Sequence, residues 1–232
     1  MPLALSAFGT REEASKAVAA MAAEALARDI AEQRRADLFV SGGSTPEASF
    51  RYLSRAAIEW ERVTVGLVDE RWVPPDHADS NERLVRAHLL REKAGAAGFI
   101  PLWTPGDDHL RAADDRCLAY GPHCDSASFV LLGMGADGHT ASWFPEMDSL
   151  ALVTAADQPC PVAAVVAPGA RTPRRLTLTG PAVCRAKSAV LLAFGSEKRT
   201  KLEAARHADP LNCPVRFAID GLGHRLNIVW AP

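Results

Sequence analysis

Ser-Phe-Val-Leu-Leu-Gly-Met-Gly-Ala-Asp-Gly-His, residues 128 to 139, is the stretch whose reading decides the fold. Ser128 to Leu132 is a short apolar run closed by glycine, as suits a strand buried on both faces. The glycine-rich turn behind it delivers an aspartate and a histidine where the strand ends. Pro145 leaves room for only a short helix afterwards. In an open parallel sheet, ligands bind beyond the carboxyl ends of the strands, so His139 is expected at such an edge.

Further segments on either side extend this pattern. Ala14, Val18, Met21, Ala22, Ala25 and Leu26 recur at helical spacing with charges between them and read as an amphipathic helix. Asp37 to Ser41 and Val63 to Val68 read as short strands, and Ser80 to Lys93 as a long helix started by Asp79, Ser80 or Asn81 and stopped near Gly95. Val162 to Val166, Leu176 to Leu178, Ala189 to Phe194 and Asn227 to Trp230 are further strand candidates. This alternation predicts an α/β fold with a mostly parallel sheet flanked by helices. No proline- or serine-rich linker divides the chain, so residues 1 to 232 are read as a single domain.

Composition limits the function classes. With 48% hydrophobic and 23% charged residues the chain is of ordinary globular makeup, and a net charge of -2 carries no basic field for gripping nucleic acid. The run from Pro2 to Phe8 has neither a basic lead nor a cleavage site, and no stretch reaches the roughly 20 apolar residues that span a bilayer. No membrane association and no obligatory protein partner are expected. The five cysteines are scattered without any Cys-x-x-Cys pair, which fits a reduced, cytoplasmic setting. Zinc-like spacing is absent too, and His123-Cys124 reads as a loop beside a helix end, so no metal is expected.

Gly133, Gly135 and Gly138 satisfy the Gly-x-Gly-x-x-Gly pattern of dinucleotide-binding turns, with Asp157 at a tolerable distance for a ribose-binding acid. A lone match is weak, and that pattern normally opens a full helix, which Pro145 forbids here. Asp137-Gly138-His139 offers different chemistry. An imidazole titrating near neutrality can take a proton from water and return it, which suits hydrolysis. Asp137 could orient the ring, although a two-residue offset does not ensure that the side chains meet.

Three other places offer binding groups. Ser41-Gly42-Gly43-Ser44-Thr45-Pro46 can cradle an anion with free amides and two hydroxyls, or can be a capped helix start with Pro46 behind Ser44 or Thr45. Asp69-Glu70-Arg71 places three charges at a strand end, as a site or as a solvated loop. Arg175 and Lys198 can close on a dianion, or can be exposed cations.

Taken in order, Ser-Gly-Gly-Ser-Thr-Pro at 41 to 46, Asp-Glu-Arg-Trp-Val-Pro at 69 to 74 with Ser80-Asn81, and the Gly133 to Pro145 segment resemble the 6-phosphogluconolactonase family, as do Arg-Leu-Thr-Leu-Thr at 175 to 179 and Gly-Ser-Glu-Lys at 195 to 198. The resemblance implies a single Rossmann-like domain related to glucosamine-6-phosphate deaminases. It implies hydrolysis of 6-phospho-D-glucono-1,5-lactone, in the oxidative pentose phosphate pathway, with no metal or organic cofactor. By the same resemblance, His139 would activate water, Asp137 would support the site, and Arg71 would hold substrate or stabilise developing charge. Gly42, Gly43, Ser44, Thr45, Asp69, Arg175 and Lys198 would bind the substrate and its phosphate.

A deaminase of the glucosamine-6-phosphate type is the rival reading, and a non-catalytic sugar-phosphate sensor a third. Deaminases follow Asp-Glu with an aromatic residue and place Asn-Glu before the proline. Here Arg71 and Trp143-Phe144 stand at those places. The segment from Leu211 to Pro232 carries no assignable role, and Arg216 and Arg225 are read as surface cations.

Overall fold

The computed structural model describes residues 5 to 232, so Pro2 to Ala4 of the N-terminal apolar run lie outside the described residues. The strands are β1 Leu5–Ala7, β2 Ala36–Val40, β3 Val63–Leu67, β4 Asp69–Arg71, β5 Gly98–Ile100, β6 Phe129–Gly133, β7 Val162–Val166, β8 Arg174–Leu178, β9 Ala189–Phe194 and β10 Leu226–Ala231. The helices are α1 Arg11–Gln33, α2 Glu47–Leu53, α3 Asn81–His88, α4 His109–Cys124, α5 Leu150–Thr154, α6 Gly180–Cys184, α7 Ser196–Ala205 and α8 Val215–Leu222. Each expected strand is present within a residue or two of its expected bounds.

Seven strands form one wholly parallel sheet in the order β1-β10-β9-β6-β2-β3-β5. Its central strands are mostly apolar because both faces are covered: Leu38, Val40, Val65, Val130, Leu191 and Val229 are fully buried. The chain runs outward in one direction through β2, β3 and β5, and in the other through β6, β9 and β10, with the N-terminal β1 on the outer edge. The direction reverses between β2 and β6, which pair as Val40↔Leu131. The loops leaving these two strands therefore emerge side by side at a topological switch point, where open α/β sheets place their ligands.

One departure from expectation matters for function. β4, β7 and β8 do not join the parallel sheet but form a separate antiparallel one, β4-β8-β7. Val68 is the junction, since its N–H donates to Val40 of the large sheet at 2.9 Å and its carbonyl accepts from Leu178 of the small one at 2.7 Å. Periodicity reports strands and cannot report which sheet they join.

Helix lengths also differ from expectation. The first helix begins at Arg11, earlier than its periodic stretch, because Thr10 and Glu13 form a reciprocal capping box with N···O distances of 3.1 and 3.0 Å. The helix expected over 80 to 93 stops at His88, and a 3-10 turn covers Glu92–Ala96. No helix lies between His139 and Pro145, where Thr140 and Trp143 instead form an isolated bridge.

The cysteine reading needs correction, for Cys117 on α4 and Cys160 ahead of β7 are disulfide-bonded. They lie 43 residues apart, and only the packing of α4 on β7 brings them together, which spacing could not reveal. His123 belongs to the last turn of α4 rather than to a loop, and its Nδ1 sits 2.6 Å from the buried Asp37 carboxylate. Among the described residues, no group of three His, Cys, Asp or Glu side chains could hold a metal ion, and no helix is long and apolar enough to cross a membrane.

Candidate active site

A cleft of about 240 Å³ opens at the switch point. The Ser41 to Thr45 loop beyond β2 forms one wall, and His139 and Gly135 beyond β6 form another. Lys198, from the first turn of α7 behind β9, faces them together with Arg71, Asp69 and Arg175 of the small sheet. Every expected site residue except Asp137 thus lines one space, although they come from five separate parts of the sequence. Asn81, Ser41, Met134 and Ala141 line it as well, and sequence reasoning gave none of them a role. Asn81 was visible as part of a motif, but nothing in its spacing tied it to the cleft.

Asp137 stands behind the histidine. Its Oδ1 lies 2.6 Å from His139 Nδ1 and accepts from the His139 backbone N–H at 3.1 Å. The question left by the two-residue offset is answered by the turn, which folds both side chains to one side. Partial burial works to raise the Asp137 pKa, but the bonds from His139 outweigh it and hold the carboxyl below its usual range. An ionised Asp137 fixes the tautomer with hydrogen on Nδ1 and leaves the lone pair on Nε2. Phe144, 4.3 Å between ring centroids, packs against the imidazole.

The glycines of this turn have particular jobs. A Cβ on Gly135 would overlap the His139 ring and come within 2.6 Å of Asp137 Oδ1, so only glycine leaves room for the pair. Gly138 has φ +91, and a Cβ there would meet Cys213 Sγ at 2.7 Å and Lys201 Cε at 2.8 Å. Gly138→Ala is expected to destabilise the fold by about 1–3 kcal/mol through strain alone; an unshifted midpoint in urea denaturation would contradict this. The Gly-x-Gly-x-x-Gly match therefore arises from a turn built around an imidazole, and no helix follows it to receive a pyrophosphate.

The anion cradle takes the second of its two forms only in part. α2 begins at Glu47 with Pro46 as its cap residue, and neither Ser44 nor Thr45 makes a capping bond. Their hydroxyls are thus left available to the cleft that both residues line, and Ser41 Oγ is buried there without a partner. Gly43 has φ +91, the left-handed conformation that turns the loop. A Cβ on Gly42 would overlap the Asn81 carboxamide, so this glycine makes room for a side chain from α3.

Asp69-Glu70-Arg71 is not a solvated loop. Glu70 is 1% exposed, and its carboxylate accepts from the backbone N–H groups of Arg71, Asn81 and Glu82 at 2.7–2.8 Å and from Ser80 Oγ at 3.0 Å. Burial pushes its pKa up to about 7, against the pull of these four bonds. Glu70 therefore lashes β4 to the first turn of α3, fixing its two neighbours Asp69 and Arg71 at the rim.

Asp69 accepts from Ser142 Oγ at 2.6 Å, lies 3.4 Å from Asn81 Nδ2, and pairs with Arg175 at 3.7 Å. Arg175 is 8% exposed and lies directly opposite Arg71 in register, with its guanidinium 5.2 Å from the Phe144 centroid. Burial lowers its pKa, and Asp69 resists that shift. Arg71 donates to the Asp79 carbonyl, and its buried Nε has no partner. Lys198 is half-buried, which lowers its pKa, and it has no acidic partner among the described residues.

The C-terminal segment turns out to support the site. The Val215 N–H donates to the Gly138 carbonyl at 2.9 Å, so α8 steadies the histidine turn from behind. Arg216 and Arg225 are pinned in place: Arg216 grips Asp220 and the carbonyls of Ala205 and Arg206, and Arg225 those of Ala186 and Gly221.

This arrangement was compared with known proteins. The family model described as glucosamine-6-phosphate isomerases/6-phosphogluconolactonase matches residues 9–230. A protein named 6-phosphogluconolactonase from Mesorhizobium japonicum is 40% identical over 98% of this chain and 94% of its own. One of the same name from Rhizobium meliloti is 42% identical over 89% of each. The crystal structure of a 6-phosphogluconolactonase from Shewanella baltica superposes with a TM-score of 0.95 at 31% identity, covering 100% of this chain and 98% of that one.

Proposed function

Because the chain belongs to the glucosamine-6-phosphate isomerase/6-phosphogluconolactonase family, and is by that relationship a lactonase of the hydrolase class, we propose that its cleft binds 6-phospho-D-glucono-1,5-lactone and opens it with a water activated by His139. The product is 6-phospho-D-gluconate, as in the oxidative pentose phosphate pathway. The observation that carries this reading is the His139–Asp137 pair, whose imidazole faces the same cleft as the Ser41 to Thr45 loop and three basic side chains.

The steps follow from the groups. His139 Nε2 removes a proton from water while the oxygen attacks the lactone carbonyl carbon. Asp137 stabilises the imidazolium that forms. The carbonyl oxygen becomes an oxyanion, for which the Arg71 guanidinium lining the cleft is the donor. The bond from the carbonyl carbon to the ring oxygen then breaks, and the imidazolium returns its proton to that oxygen. The acid product ionises, and the proton passes to solvent. No electron changes hands, so these steps call on no redox cofactor.

The phosphate is the handle. The amides of Gly42 and Gly43, the hydroxyls of Ser44 and Thr45, and the cations Lys198 and Arg175 are placed to hold it, while Asp69 positions Arg175. Anchoring the far end of the substrate lets binding energy orient the ring over the water. The partner implied is thus a small sugar-phosphate lactone. The test is to follow opening of the phosphorylated lactone against its spontaneous hydrolysis. Acceleration is expected, with no ammonia released from glucosamine 6-phosphate; tight binding without acceleration would make the chain a sensor and defeat the proposal. Lys198→Ala is expected to raise KM by about tenfold or more with a smaller change in kcat, the loss of a charge-assisted bond.

A further inference from the structure

We propose that Arg11 is a further phosphate-binding residue, closing the anion site from the side of Lys198 that faces away from His139. The inference rests on the reading that the 41 to 46 loop and Lys198 hold the phosphate, and it adds a group that no motif contains. Beyond that loop the cleft continues into a second hollow, which shares Ser44, Thr45 and Lys198 with the first and is walled by Arg11, Tyr52 and Phe194. An anion seated on the shared residues lies between the two hollows.

Arg11 is held ready for such a ligand. It is the first residue of α1, and its Nε donates to the Pro232 carbonyl at 2.8 Å. Its guanidinium carbon lies 5.4 Å from the Phe194 ring centroid. These contacts fix the side chain and leave its two terminal nitrogens without a protein partner among the described residues. A planar fork with one nitrogen anchored and two free is suited to phosphate oxygens.

The charges around it point the same way. Glu12 and Glu47 border the same hollow, but both are already engaged, Glu12 by Lys16 at 2.7 Å and Tyr52 at 2.9 Å, and Glu47 by Arg51. Arg11 and Lys198 make no ion pair among the described residues. They are near enough that, after burial, the Arg11 charge is the next influence lowering the Lys198 pKa. Two like charges held together cost free energy in the empty site. A dianion between them removes that cost and gains from both, so the empty site is primed for phosphate and discriminates against a substrate without one.

The experiment compares 6-phospho-D-glucono-1,5-lactone with unphosphorylated D-glucono-1,5-lactone as substrates of Arg11→Gln, Arg11→Lys and Lys198→Ala. Gln retains a stem over Phe194 and a donor for Pro232 but no charge, which separates charge from packing. For Arg11→Gln, the kcat/KM preference for the phosphorylated lactone is expected to fall about tenfold, mostly through KM, with Arg11→Lys recovering part of the loss. Equal losses on both lactones would mean that Arg11 serves only the fold and would overturn the inference. An unchanged preference in Arg11→Gln beside a large fall in Lys198→Ala would overturn it while leaving the phosphate reading intact. No fall in either would defeat both.

Discussion

Replacing His139 by alanine is expected to lower kcat on the phosphorylated lactone by about 10²–10⁴-fold, the usual contribution of a positioned general base. KM should change little, because the phosphate contacts lie elsewhere in the cleft. The fold should survive, since the imidazole is partly exposed and its hydrogen bond among the described residues is to Asp137 alone. Asp137→Asn keeps the size of the side chain but removes the anion that balances the imidazolium. Its kcat should fall between those of wild type and His139→Ala. The Asp137 pKa is depressed in the folded protein, so its support is present above the usual carboxylate range and lost only as pH falls below it. The kcat gap between wild type and Asp137→Asn should therefore persist down to about pH 4, the ordinary carboxylate value, and steady-state kinetics taken to that pH would test this. Normal turnover in His139→Ala would remove the imidazole from the mechanism.

Arg175→Ala should have the largest effect on stability. Arg175 and Asp69 are both nearly excluded from solvent, with side chains 10% and 9% exposed. Removing the cation leaves a buried carboxylate supported only by Ser142 and Asn81. Breaking such a pair from one side costs about 3–5 kcal/mol. Urea denaturation would measure it, and a loss below about 1 kcal/mol, the worth of an exposed pair, would show Asp69 to be well solvated instead. The same variant should bind the phosphorylated lactone poorly. Arg175→Lys separates the two roles: a lysine restores charge beside Asp69 but not the planar fork, so stability should recover further than KM.

The parts of the fold that local pattern encodes were legible in the sequence. The apolar run at Ser128 to Leu132, the glycine behind it and the alternation of segments gave a parallel α/β sheet and put His139 at its edge. What could not be read was set by contacts between distant segments. The antiparallel sheet depends on Val68 bonding in two directions, the Cys117–Cys160 bond on α4 meeting β7, and the support of Gly138 on a Val215 amide. Glu70 is the instructive case. Three adjacent charges ordinarily signal water, yet three donors of a helix start, with the Arg71 N–H, draw the middle one inside. Arg11 is the opposite case, an ordinary first-turn residue whose setting emerges only when Phe194 and Pro232 fold against it.

The passage of the chain through Val68 divides the labour of the cleft between two frameworks. The imidazole, the glycine loop and Lys198 are mounted on the seven-stranded frame, whereas Asp69, Arg71 and Arg175 ride on a three-stranded ribbon fastened beside it. The frame's register is locked by buried aliphatic side chains and tolerates little change. The ribbon's backbone joins the frame's at Val68, and side-chain bonds from Ser142 and Trp143 fasten it to the histidine loop. A descendant of this scaffold could acquire a new substrate by rewriting ribbon positions, while inheriting the imidazole, the glycine loop and Lys198 from the frame unaltered.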